Sequence, residues 1–359
     1  MKELKIGNLV ATTPIVQGGM GVGISLSGLA AAVAEEGGIG VISAAGLGVI
    51  HHDLADNTQD ANIAGLRYEI QKARKATSGI IGVNIMVALT DFSELAKVAI
   101  EEGIDIIFAG AGLPLSLPSL LTEGSKTKLV PIVSSARAAK LICTKWYQQY
   151  KYIPDAVVVE GPKAGGHLGY KHEQIFDEEY SLEKIVPQVV AEVNRFGAEH
   201  NREIPVIAGG GVFSGEDIYN IMKAGASAVQ MGTRFVVTEE CDASNEFKQS
   251  YINARKEDIS IIQSPVGMPG RAISGTFLDK VSQGLCKPKK CPFNCIKTCN
   301  VTDSPYCIML ALYNAYKGRM EHGYAFCGSN AWQCKEILSV RELMNKLREE
   351  YKTAEKSNN

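Results

Sequence analysis

Residues 160–170 read EGPKAGGHLGY, with one imidazole, His167, set among glycines just after the apolar run 156–159. Glycine lets the backbone approach a ligand closely and adopt angles closed to other residues. An imidazole in such a loop is suited to move a proton beside a bound small molecule. A turn with an incidental surface histidine would look the same locally, so the rest of the chain has to decide. Two more glycine runs bear on it: AGGGV at 208–212, with a helix opening at Ser214 or Gly215, and QMGTR at 230–234. Amides without a Cβ in the way, followed by a helix N-terminus, can hold a phosphate. That points to Gly210, Gly211, Gln230, Met231 and Gly232, with the Thr233 hydroxyl beside them. Arg234 could neutralise a phosphate or be structural, and it is left out of the set.

A ligand held by a phosphate at one end needs a second set of contacts for its other end. QGGMG at 17–21 exposes the amides of Gly18 and Gly19 and the thioether of Met20. Asn84 is the polar residue of GVNIM (82–86), and a buried carboxamide must be hydrogen-bonded or it is costly. It can donate and accept at once, as the carbonyl and ring-nitrogen edge of a flavin requires. The alternative is an Asn bonded to neighbouring backbone. Glu160 could meet a ribityl hydroxyl or cap its loop, and Gly165 and Gly166 would let that loop close on the ligand.

The elements that must position these residues alternate along the chain. Short, continuously apolar runs predict strands at 14–17, 40–43, 81–86, 104–109, 129–134, 156–160, 205–208 and 226–231. Continuous rather than alternating apolarity is expected of parallel strands buried on both faces. Helical patterns fall between them at 27–36, 59–76, 92–102 (behind a possible N-cap at Asp91), 182–200 and 216–224. Eight such units predict an α/β fold, a (β/α)8 TIM barrel, with an open doubly wound sheet as the alternative. The division expected is a barrel over 1–240, a small helical, cysteine-rich lid over 241–334, and a C-terminal helix over 335–359 packing back on the barrel. Within the lid, 246–257 reads as helix and QSPVGMPGRAI (263–273) as a loop full of breakers. In the tail, Ile337, Val340, Leu343, Met344, Leu347 and Tyr351 fall on one stripe.

The 359 residues carry a net charge of −2, are 45% hydrophobic and include 36 glycines and nine cysteines. Near-neutral charge with dispersed Lys and Arg argues against nucleic acid or an anionic membrane as partner and for a small-molecule substrate. MKELK lacks the apolar core of a signal peptide, and 26–34 is too short to span a bilayer, so a cytoplasmic protein with reduced thiols is expected. A homodimer is compatible with a barrel of this size.

In order and spacing, QGGMG, GVNIM, EGPKAGGHLG, AGGGV and QMGTRF resemble the nitronate monooxygenase family, formerly the 2-nitropropane dioxygenases, over about residues 8–275. That family includes the closely similar FMN-dependent enoyl-ACP reductase II. The resemblance implies an FMN-binding barrel, with flavin contacts at Met20, Asn84, Glu160, Gly165, Gly210, Gly211 and 230–233 and an active-site histidine at His167. It implies oxidation of alkyl nitronates or nitroalkanes by dioxygen to a carbonyl compound and nitrite. The alternative is an NAD(P)H-dependent reductase of an enoyl-ACP, another activated C=C bond or a quinone, using the same FMN site. Lys163, four residues before His167, would hold the imidazole neutral by charge repulsion, unless it is simply a solvated loop lysine. A non-catalytic phosphate-binding barrel is the rival from another class. An IMP-dehydrogenase-like barrel is set aside because the barrel offers only Cys143, in a helix-like stretch.

Cys286, Cys291, Cys295, Cys299, Cys307, Cys327 and Cys334 lie outside the family pattern. Their spacing lacks the CxxC pairs common in zinc and cluster sites, so structural thiols are expected, with a metal or iron–sulfur site or a redox disulfide as the alternatives, and no metal ligands are assigned. On a helix, Cys291, Cys295 and Cys299 would share one face.

Overall fold

The computed structural model describes residues 1–358. Its frame is eight parallel strands: β1 (Ile15–Gln17), β2 (Gly40–Ser43), β3 (Ile81–Met86), β4 (Ile106–Gly110), β5 (Lys128–Val133), β6 (Val157–Glu160), β7 (Val206–Gly209) and β8 (Ala228–Met231). From β2 onward each strand pairs with the next, and β8 pairs with β1. A parallel bridge between Val16 and Ile39, just before β2, closes the ring, with the Gln17 N–H donating to Ile39 O at 2.9 Å. The expected TIM barrel is the observed fold.

Two cores explain the unbroken apolar runs. Val41, Phe108, Val130 and Val158 face the lumen, where they meet Leu4, Ile6 and Ala11 of an N-terminal hairpin (Leu4–Ile6 with Leu9–Ala11). Residues one step along, such as Ile107, Leu129, Val157 and Val159, pack outward into the larger core shared with the helices. Both faces of each strand are therefore buried.

Helices Ser27–Glu35, Thr58–Ala76, Phe92–Glu101, Leu182–Glu199 and Gly215–Lys223 fall close to their expected places. Ala136–Tyr150 adds another, capped by Ser135 and anchored by buried Trp146, whose Nε1–H donates to Pro114 O at 2.9 Å. Asp91 does not cap its helix. Its carboxylate instead accepts from Asn62 Nδ2 at 2.7 Å, a tie to the neighbouring helix. After β8 the barrel has only the single turn Thr233–Val236. The gap is filled by the C-terminal helix Val340–Ser357, which packs on both Gly215–Lys223 and Ser27–Glu35 and buries Val340, Leu343, Met344, Leu347 and Tyr351. Glu350 fixes this helix by accepting the Gly215 N–H at 2.8 Å.

The segment 241–334 differs from expectation. Helix Asn245–Ile252 is shorter than 246–257, and 263–273 is not a loop. Ile259–Gln263 and Pro269–Ile273 form an antiparallel hairpin, and Gly166–His167 adds a third strand. Ser264 and Met268 close its turn, with Gly267 at φ +85°. Pro269 is tolerated because it is the first residue of its strand. Helices Thr276–Ser282 and Ile308–Tyr316 follow, separated by a long stretch without helix. No helix among the described residues is long and apolar enough to cross a membrane.

Candidate active site

At the C-terminal ends of the strands lies a cavity of about 390 Å³. Gly18, Gly19 and Met20 reach it from β1, Asn84 from β3, and Glu160, Gly165, Gly166 and His167 from β6 and its loop. Gly210 and Gly211 follow β7, and Gln230, Met231, Gly232 and Thr233 come from β8. All the residues singled out from sequence as catalytic or ligand-binding thus line one space.

The end near β7 and β8 is made of backbone. Gly210 and Gly211 take φ +102° and +94°, a region that L side chains rarely adopt. A Cβ on Gly210 would lie 2.8 Å from Gly161 O, and one on Gly211 3.0 Å from Lys163 Cβ. Among the described residues, the N–H groups of Gly210, Gly211 and Gly232 have no protein acceptor. Unpaired amides of this kind, next to helix Gly215–Lys223, suit an anion. The Thr233 hydroxyl oxygen accepts the Gly328 N–H at 3.0 Å, which leaves its own proton free to donate. Arg234 is structural: it is buried, lies over the Phe213 ring at 4.5 Å and donates to Phe213 O.

The opposite end is made of side chains. A Cβ on Gly19 would collide with Asn84 Cβ, so this glycine makes room for the carboxamide. Asn84 is not tied to neighbouring backbone through its side chain. Among the described residues, the carboxamides of Asn84 and Gln230 and the Glu160 carboxyl have no hydrogen-bond partner, and all three line the cavity. Burial pushes Glu160 up to about 7. A ligand with a polar-edged ring, a hydroxylated chain and a terminal phosphate would satisfy both ends, and FMN has this donor and acceptor pattern.

His167 sits on the short strand paired with Gly270. Its Nε2 is 2.7 Å from Ser264 Oγ, and its ring meets Phe326 edge-on with centroids 5.0 Å apart. Burial holds its pKa down to about 4, so the ring is neutral near pH 7. The expected role of Lys163 in that depression is not observed. Its side chain lies against Gly211, at the other end, and burial is the cause.

Sequence reading did not place three parts of this site. Ser264, at the hairpin turn, is buried and meets His167 directly. Buried Arg271 donates to Pro162 O and Ala164 O, both at 2.6 Å, and so clamps the loop that carries His167. Residues 327–330 (CGSN) close the phosphate-suited end, with Ser329 N–H donating to Lys163 O and Asn330 Nδ2 to Gly211 O. A Cβ on Gly165 would lie 2.6 Å from the Cys327 carbonyl carbon, so this closure requires glycine. The small polar run of 327–330 was the available signal.

The sequence profile described as nitronate monooxygenase matches residues 2–350. The chain is 26% identical over 271 residues to the (3aS,4S,5R,7aS)-5-hydroxy-7a-methyl-1-oxo-octahydro-1H-indene-4-carboxyl-CoA dehydrogenase of Mycobacterium tuberculosis. That match covers 76% of this chain and 66% of the relative, so the chain spans just under two thirds of the relative's length. It is 28% identical over 302 residues to a probable nitronate monooxygenase of Staphylococcus aureus (strain Newman), covering 75% of this chain and 78% of the other. The structure of FabK from Thermotoga maritima matches with a TM-score of 0.74 at 29% identity, covering 96% of this chain and 95% of that one. Nitroalkane oxidase from Streptomyces ansochromogenes matches at 0.72 and 21% identity over 97% and 98% of the two chains, a likeness of fold. With the profile matched over nearly the whole length of this chain, the chain belongs to the nitronate monooxygenase family.

Proposed function

We propose that the protein is an FMN-dependent nitronate monooxygenase that converts alkyl nitronates or nitroalkanes, with dioxygen, to carbonyl compounds and nitrite. The observation that carries this reading is one cavity joining unpaired glycine amides at 210–211 to unpartnered Asn84, Gln230 and Glu160, with a neutral histidine beside them. When bound, FMN supplies the redox chemistry that links substrate oxidation to dioxygen. In this reading Gly210, Gly211 and Thr233 hold the phosphate, and Asn84 and Gln230 orient the polar ring edge. Glu160, protonated below about 7, donates to the ribityl chain. His167 accepts the α-proton when the substrate arrives as a neutral nitroalkane. A conjugate acid held near 4 makes a weak base, which favours substrate that arrives already as the nitronate.

A second reading has support from the comparisons. The likeness to FabK and to a carboxyl-CoA dehydrogenase favours an NAD(P)H-dependent reductase of an activated C=C bond, with enoyl-ACP, other enoyl thioesters or quinones as acceptors. Apolar Met86, Leu312 and Phe326 on the cavity wall would accept an acyl chain. Anaerobic mixing of FMN-loaded protein with nitronates, NADH, NADPH and enoyl thioesters separates the two. Bleaching of the flavin by nitronates alone is the expected result. Rapid bleaching by NADH or NADPH, with none by nitronates, would replace the first reading with the second.

A further inference from the structure

Helix Ser27–Glu35 begins just behind the loop 18–26, whose residues Gly18, Gly19, Met20, Val22 and Ile24 form one wall of the cavity. A helix N-terminus is ordinarily capped by a local Ser, Thr, Asp or Asn whose side chain accepts a nearby N–H. Here the N-cap is Leu26, which has no side-chain acceptor. The serines on either side do not replace it. Ser25 is bonded to Met20, and the buried Ser27 hydroxyl has no partner among the described residues. The first turn is held from a distance instead. Asp242 Oδ2 accepts the Leu26 N–H at 2.7 Å and the Leu29 N–H at 3.2 Å, and Glu69 Oε2 accepts the Ser27 N–H at 2.9 Å.

The two carboxylates differ in what they hold besides the helix. Glu69 shares its other oxygen with His51 Nε2 at 2.9 Å. Asp242 brackets one residue of the loop. Its own N–H donates to Ile24 O at 3.3 Å while its carboxylate takes the Leu26 N–H, so both neighbours of Ser25 are bonded to it. Cys241 Sγ adds a second donor to Ile24 O at 3.3 Å. Ser25, fixed in this way, holds Met20 twice. Its Oγ accepts the Met20 N–H at 2.8 Å and its N–H donates to Met20 O at 3.0 Å. Met20 in turn stands beside β8, where a Cβ on Gly232 would lie 3.3 Å from its Sδ. Gly28 leaves room for the bracket, because a Cβ there would lie 2.7 Å from Asp242 Oδ1. Burial raises the Asp242 carboxyl to about 6, and the Leu26 and Leu29 amides work against that rise.

We propose that Asp242 is a positioning residue for the bound cofactor: through Ser25 it sets where Met20 stands against the flavin ring. Asp242 does not itself line the cavity, so its effect travels through the loop. The inference rests on the flavin reading, which gives Met20 a ring to meet.

The test is flavin titration of the full-length apoprotein at about pH 8, where the Asp242 carboxyl is ionised. Asp242→Ala should weaken FMN binding about tenfold, the scale of losing hydrogen bonds to a charged group. Riboflavin should weaken by the same factor, because the phosphate end is untouched. Asp242→Asn keeps an oxygen for both amides and should stay within about twofold of the wild type. Gly28→Ala pushes on Oδ1 and should repeat the alanine loss; it decides the matter if Asp242→Ala does not fold. The visible band of the bound flavin should shift in Asp242→Ala and Gly28→Ala but not in Asp242→Asn. Ser25→Ala should weaken flavin too, and the double variant Asp242→Ala/Ser25→Ala should bind no worse than the weaker single, since both act on Met20 in series. A lowered melting temperature with unchanged flavin affinity and spectrum would reduce Asp242 to a helix cap. Losses that add in the double variant would separate it from Ser25, and a loss confined to FMN would place its effect at the phosphate. Each of these three results overturns the assignment. A wild type that binds neither flavin would overturn the flavin reading, and this assignment with it.

Discussion

At one end of the cavity, Gly210 and Gly211 present bare amides from a backbone bent into the left-handed region, and a Cβ on either would press on the loop after β6. At the other end, the polar groups are side chains. Asn84 stands in space left by Gly19, and His167 is held by a hairpin whose sequence position is nearly a hundred residues further on. The first end is specified by what cannot be added, so it should fail abruptly on substitution. The second is specified by contacts that can be removed singly, so it should fail by degrees.

Gly210→Ala tests the abrupt end and should have the largest effect. The new methyl meets Gly161 O at 2.8 Å and the backbone must hold φ +102° with a side chain. Strain and overpacking together amount to about 4 kcal/mol, or about a 1000-fold loss of FMN affinity. Fluorescence titration of the apoprotein with FMN measures it, and a loss under tenfold would mean that the phosphate is not seated there.

His167→Ala comes next and sharpens the chemistry at the other end. Turnover of a neutral nitroalkane should fall about 100-fold, the usual contribution of a positioned acid–base group. Turnover of the preformed nitronate should change little, because no α-proton has to be removed. Equal losses with both substrates, measured by nitrite release, would make His167 a binding residue and not a base.

These two ends also differ in how far the sequence revealed them. The barrel strands were legible because burial on both faces leaves a continuous apolar run, as in Val157–Glu160, with Val158 facing the lumen and its neighbours the helices. The glycines at 210–211 were legible because a geometric prohibition leaves one residue type. The hairpin was not, because Pro269 and Gly270 look like breakers in isolation. Gly270 is there because a Cβ would lie 2.8 Å from the Phe326 ring, a neighbour that no local pattern announces. The contacts of His167 with Ser264 and of Thr233 with Gly328 are missed for the same reason, since each joins segments nearly a hundred residues apart. Lys163 misled in the opposite sense: close in sequence to His167, it points to the other end.

A smaller effect concerns pH. Glu160 titrates at about 7 in the folded apoprotein against an ordinary 4.5. Its folded state holds the proton more tightly, so its contribution to stability is full below 4.5 and is lost as pH rises through about 7. His167, held near 4 against 6.5, acts in reverse, contributing above 6.5 and losing that contribution as pH falls through about 4. Glu160→Gln should therefore match the wild type below 4.5 and melt a few degrees higher above 7. Scanning calorimetry of the flavin-free chain checks this, and parallel curves for the two proteins at all pH values would place Glu160 in water.

Ser264→Ala should have the smallest effect and is the most direct probe of how the hairpin acts on the histidine. Ser264 Oγ accepts the Val266 N–H at 3.3 Å and lies 2.7 Å from His167 Nε2. A neutral ring can accept an α-proton only through a nitrogen with a free lone pair, so in the base reading Nε2–H donates to Ser264 Oγ and Nδ1 takes the proton. Burial holds the ring down to about 4, so Ser264→Ala should leave the acidic limb of the rate profile in place. One lost hydrogen bond corresponds to about a fivefold fall in nitroalkane turnover. A limb that moves up toward the ordinary 6.5 would mean that the Ser264 hydroxyl donates to Nε2 and holds the ring neutral. In that case the gradual end of the cavity would hang on one hydrogen bond, and His167 would have no free nitrogen for the α-proton.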